Sequence, residues 1–142
     1  MKNNKLVMIM LIILIAITLV GAVALVVVLK FTGEEGQKEP TIDEVLEASV
    51  DIPELTTNLA SDDFIRISFK IQTDSKKAKE ELEKRDFQVK NIIIHTLSVR
   101  ASDELKAAEG QTKLENVLRD QISKIMQEGT VERVYITESL IQ

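Results

Sequence analysis

A single N-terminal transmembrane helix followed by a small α+β domain, a three-stranded antiparallel sheet with helices, is the fold class that three features of the sequence predict. The first is a run of 24 residues without a charge, Leu6 to Leu29. The second is the alternation in FIRISFKIQ, where Ile65, Ile67, Phe69 and Ile71 interleave with Arg66, Ser68, Lys70 and Gln72; a strand buried on one face has that period. The third is the recurrence of Leu114, Val117, Leu118, Ile122, Ile125 and Met126 at spacings of three and four, the apolar stripe of an amphipathic helix.

The apolar run would form a helix about 36 Å long, enough to cross a hydrocarbon core of about 30 Å. Lys2 and Lys5 flank one end and Lys30 the other, where its long side chain can reach the head groups. The very short basic tail favours a cytoplasmic N-terminus and an external C-terminal part. The rival reading is a cleaved signal peptide, since Ala22-Val23-Ala24 fits the small-residue cleavage pattern. The run is longer than the usual apolar region of about 7 to 15 residues and continues past that site, which favours an anchor.

FTGEEGQKEP, residues 31 to 40, is polar and rich in Gly and Glu and reads as a spacer. Thr41 and Glu44 then fit a capping box ahead of a short amphipathic helix reaching about Ser49. ELTTNL is the expected partner of the alternating strand, with Leu55, Thr57 and Leu59 on one side and ASDD, residues 60 to 63, as the turn. Ser75 can cap KKAKEELEKR, whose pairs Lys76 with Glu80, Lys77 with Glu81, Glu80 with Lys84 and Glu81 with Arg85 are spaced to support a solvated helix. In the next segment, 86 to 101, Val89, Ile92, Ile93, Ile94 and Leu97 fall in an arc centred near Ile93, and His95 falls about 160° away. Ser102 starts a brief helix that Gly110 is placed to end, and Gly129 is placed as a left-handed cap of the long helix 111 to 128. The β-branched VERVYITESLIQ is the last strand. The organisation is thus a tail over 1–5, the span over 6–29, a linker over 30–40, a juxtamembrane helix over 41–49 and the α+β domain over 50–142.

Composition removes most chemistries. There is no cysteine and no tryptophan, with one histidine and one tyrosine, so thiolate zinc sites and cysteine nucleophiles are excluded, and the residues that usually carry general acid/base work, imidazole metal ligation or base stacking are nearly absent. Residues 31 to 142 hold 15 basic and 23 acidic residues, a net of −8, which repels phosphate backbones and argues against a nucleic-acid partner. Asp62-Asp63, Glu34-Glu35 and Glu80-Glu81 are adjacent carboxylates, which diverge on a turn or helix instead of converging on a metal. His95 reads as a surface residue. No phosphate loop, serine elbow or calcium loop is present, and no catalytic, metal-binding or cofactor residue emerges, nor a small-molecule substrate.

The order of the landmarks resembles the FliL family of flagellar basal body-associated proteins. A basic tail and one span precede SVDIPELTTNLAS and the alternating strand; RDFQVKNIIIHTLS, SDELKAAEGQTKLENVLRDQISKIM and VERVYITESLIQ follow. The resemblance covers nearly the whole chain, most strongly residues 50 to 142. Ser139-Leu140 stands where many relatives carry an aromatic. What the resemblance implies is a domain similar to those of stomatin and prohibitin, a ring-like homo-oligomer in the cell membrane at the flagellar basal body, and association with the motor stator in swimming or swarming. It implies no enzyme and no cofactor. Ile42, Val45 and Leu46, between span and domain, are the candidate contact with another copy or the stator. On the residues alone a membrane sensor with an external ligand-binding domain stays open, and a secreted hydrolase is the weakest class.

Overall fold

The computed structural model describes residues 2–32 and 39–142, in two units, Met1–Pro40 and Thr41–Gln142. The expected spacer falls largely on residues 33–38, outside the described residues. In the first unit, helix α1 (Lys2–Thr32) contains a segment, Asn3–Phe31, long and apolar enough to cross a membrane. The Thr18 hydroxyl, the one side-chain hydroxyl within the apolar run, donates to the Leu14 carbonyl at 2.7 Å, so the run carries no unsatisfied side-chain donor.

The second unit opens with α2 (Ile42–Glu47) and continues as β1 (Ser49–Asn58), β2 (Phe64–Thr73), α3 (Lys76–Lys84), α4 (Asp86–Ser98), α5 (Ser102–Lys106), α6 (Ala108–Ile125) and β3 (Val131–Ile141). The three strands form one antiparallel sheet in the order β1-β2-β3. The alternation in β2 works as expected: Ile65, Ile67, Phe69 and Ile71 are all at most 1% exposed and join Leu82, Val89, Ile93, Leu97, Leu105, Leu114, Leu118 and Ile122 from the helices in one core. The opposite face is mostly polar, with Phe64 and Leu140 exposed at one end. There Arg66 pairs with Glu54 at 3.3 Å, Lys70 with Asp51 at 3.2 Å, and the Tyr135 hydroxyl bonds Gln72 at 3.1 Å under the Arg133 guanidinium.

β1 begins earlier than the expected partner strand, directly after α2, and extends through a register shift between Ile52 and Leu55 that contains Pro53. Proline lacks the ladder donor, so it sits on an edge strand at a bulge. The turn after β1 places Asp62 at φ 64, a conformation that Asp tolerates better than most residues. The tip is tied down: Ser61 donates to Asp63 at 2.9 Å and accepts from the Ser102 amide at 3.0 Å. Hydrogen bonds from Ser102 and then Ser61 hold the Asp63 carboxyl below its ordinary value, against the opposing effect of burial, with Lys106 adding attraction. At the far end of the ladder Phe64 and Gln142 exchange two backbone bonds, of 2.9 and 2.8 Å, so the last strand is paired to its final residue.

Several local expectations fail for physical reasons. Ser75 does cap α3, accepting from the Ala78 amide at 3.1 Å, but only Glu81 with Arg85 of the four expected ion pairs forms, at 2.8 Å. Lys76 and Lys77 reach instead to Glu47 and Glu128 on neighbouring segments. Ile94, at 37% exposed, lies outside the buried part of the α4 arc, and Thr96 is buried instead. Gly110 does not end a helix. It is buried in the first turn of α6, where a Cβ would run into the Glu104 carbonyl of α5; close backbone approach, not a cap, demands glycine. Helix α6 stops at Ile125 with Met126 already extended. Gly129 lies beyond this end at φ 145, packed on Asp74 and Ala78.

Candidate interaction surface

Among the described residues no group of three or more His, Asp or Glu side chains could hold a metal ion. His95 is exposed near the C-terminal end of α4, on the side away from Ile93. Asp62 and Asp63 belong to the turn. Of the apolar side chains that the domain exposes, which include Phe64, Val99 and Leu140, those in two places bear on the contact role.

The first is α2. Its capping box is complete: Thr41 Oγ1 accepts from the Glu44 amide at 3.3 Å and Glu44 Oε2 accepts from the Thr41 amide at 2.9 Å. Six residues are too few for a stable isolated helix, so tertiary bonds hold it. The Ala48 carbonyl accepts from both the amide and the hydroxyl of Thr73, at 3.0 and 2.6 Å, and Glu47 pairs with Lys76 at 3.6 Å. Val45 is half-buried against the domain, whereas Ile42 and Leu46, one turn apart, are 70% and 48% exposed. The structure thus brings Ile42 and Leu46 onto one open face and turns Val45 partly inward.

The second was not found from the sequence. Phe87, in the first turn of α4, is 71% exposed and stands between two adjoining hollows. One, of about 410 Å³, is lined by Phe87, Gln88, Asn91, Ile92 and Ile125. The other, of about 460 Å³, shares Phe87 and Gln88 and runs between α3 and the segment after α6. The only sequence signal is that Phe87 lies about 120° from Ile93 on the helical wheel, an aromatic outside the core arc.

Glu81 fixes the wall of the second hollow. Its carboxylate accepts from Arg85 Nε at 2.8 Å, from the Gln127 amide at 2.9 Å and from the Glu128 amide at 2.6 Å. Burial pushes its pKa up; the Arg85 bond, then the Glu128 and Gln127 amides, outweigh this and hold it below the ordinary value of 4.5. Asp74 ties the same connection further on, accepting from the Thr130 amide at 3.2 Å.

An apolar helix with membrane-spanning dimensions, followed by a one-sheet domain that holds large apolar side chains at its surface, is the architecture of a small accessory protein. Residues 49–142 match the family model described as flagellar basal body-associated protein FliL. The chain is 46% identical over 109 residues to the flagellar protein FliL of Bacillus subtilis (strain 168), covering 77% of this chain and 78% of that protein. It is 30% identical over 93 residues to the flagellar protein FliL of Aquifex aeolicus (strain VF5), covering 63% of this chain and 58% of that one. The chain belongs to the FliL family, and the family resemblance read from the sequence holds.

Proposed function

We propose that this chain is a non-enzymatic, single-pass membrane protein of the flagellar basal body that self-associates around the motor stator and supports or regulates it in swimming and swarming. α1 anchors it with the N-terminus in the cytoplasm, and the domain, similar to those of stomatin and prohibitin, works outside the membrane. The observation that carries the contact role is α2: a capped helix bonded to the domain at Ala48 yet leaving Ile42 and Leu46 open to solvent. Val45 contributes from the half-buried side. Two large apolar side chains held outward side by side on a fixed element support a contact role.

The test is a deletion strain scored for motor torque and swarming, complemented by the fluorescently labelled chain and by its Ile42→Asp, Leu46→Asp variant. The expected result is labelled chain at flagellar bases, and loss of both position and function in the variant with the domain still folded. Fluorescence spread away from flagellar bases would overturn the reading.

A further inference from the structure

We infer that the groove beside Phe87 receives helix α2 of a second copy of this chain, with Ile42 and Leu46 entering the hollow formed by Phe87, Gln88, Asn91, Ile92 and Ile125. The inference rests on the self-association proposed above and identifies its two faces.

Both halves of the contact are uncovered in a single domain. Ile42, Leu46 and Phe87 are each about half exposed or more, and no residue of α2 lines either hollow. A helix cannot fill the groove of its own domain without breaking the two bonds from Thr73 to the Ala48 carbonyl and the Glu47–Lys76 pair. A neighbouring copy can present it intact. A hollow of about 410 Å³ is in the range that accommodates a few large side chains, and two apolar residues one helical turn apart are the usual anchors of a helix laid in a groove.

Charge points the same way. α2 carries Asp43, Glu44 and Glu47 and no basic residue. In a region with a net charge of −8 most surface repels such a helix. The groove wall is balanced, with Lys77, Lys84 and Arg85 against Glu80, Glu81 and Glu128. Two of those carboxylates are engaged, Glu81 by Arg85 and Glu128 by Lys77. Lys84, without an ion-pair partner in the domain, is available to the incoming acids. Because the donor helix and the acceptor groove are different patches, each copy gives one α2 and receives one, either reciprocally in a two-fold pair or head-to-tail in a chain of contacts that closes into a ring where the rotation allows.

The absence of native cysteine makes the test direct. Full-length chain carrying Leu46→Cys and a differently tagged full-length chain carrying Asn91→Cys are co-expressed and oxidised in membranes. A disulfide requires the two Cα atoms to approach within about 7 Å. The expected result is a mixed dimer for this pair, none for Leu46→Cys with Glu138→Cys, which lies on β3, and loss of the mixed dimer when Phe87→Asp is added. Phe87 is exposed, so that variant keeps its fold. Equal cross-linking by the Glu138 control would overturn the inference as chance collision. If no mixed disulfide formed while an amine-reactive cross-linker still gave multimers, the groove assignment would fall and self-association would stand. Monomers under both treatments would remove both.

Discussion

The crossing of α5 and α6 at Gly110 gives a prediction whose sign separates tertiary from local effects. In Gly110→Ala the new Cβ meets the Glu104 carbonyl oxygen inside any allowed contact distance, with the carbonyl carbon at 2.7 Å and the Glu104 Cγ at 3.2 Å. Two of these three atoms are backbone and cannot swing aside, so α5 or α6 must shift. Forcing a methyl group into a packed site costs about 1–3 kcal/mol, and a fixed backbone obstacle places this site near the upper end. Alanine recovers up to about 1 kcal/mol of helix propensity. The net loss is about 2 kcal/mol, which for a domain of roughly 100 residues lowers the melting temperature by about 8–16 °C. Urea unfolding of the detergent-solubilised chain, followed through its single tyrosine, Tyr135, reads the change as a lower midpoint at unchanged slope. A variant as stable as the parent, or more so, would refute the close crossing, because propensity alone favours alanine.

Glu81→Gln removes a carboxylate whose folded pKa lies below its ordinary 4.5. Its contribution is therefore fully present above that value and is lost as pH falls through the lower folded value. The parent is expected to be more stable than the variant near neutrality, with urea midpoints that converge as the pH falls through the lowered folded value; parallel curves would contradict the bonding to Gln127 and Glu128. Ile93→Ala, at a position with no exposed surface, is expected to cost about 2–5 kcal/mol in the same assay. His95→Ala on the opposite side of the same helix should change stability by less than about 0.5 kcal/mol and leave motility intact. Thr41→Ala deletes one half of the capping box and should weaken α2 by about 1 kcal/mol, seen as faster amide exchange in α2 with unchanged protection of β2.

What the sequence disclosed follows from the range over which each signal acts. The period of two in β2 and the three-four spacing of α6 are imposed by the core itself, so Ile65, Ile67, Phe69 and Ile71, and Leu114, Leu118 and Ile122, are buried, with Val117 half-buried at the margin of the stripe. The capping box at Thr41 and Glu44 is local and forms as written. Gly110 was not legible as a packing glycine, because one required by a neighbouring backbone has the same local signature as one that ends a helix. The α3 ion pairs were misassigned because Lys76 and Lys77 had partners on α2 and on the segment after α6, at separations no helical spacing describes. For the candidate surface, Ile42 and Leu46 were readable as apolar residues on a capped helix. The groove was not, since Phe87 and Ile125 meet only once α4 and α6 have packed.

The order of the strands also determines how the domain resists being pulled. β1 starts beside the end of β2, with Ser49 opposite Gln72, and β3 finishes beside the start of β2, with Ile141 opposite Ile65. The entry and exit of the sheet therefore lie at opposite ends of strands about 33 Å long. Tension between Ser49 and Gln142 runs along the strand axes, so the bonds of each ladder are sheared together instead of being unzipped one at a time. A sheet of this topology resists a pull applied between its first residue, Ser49, and Gln142 more than one whose entry and exit share an end.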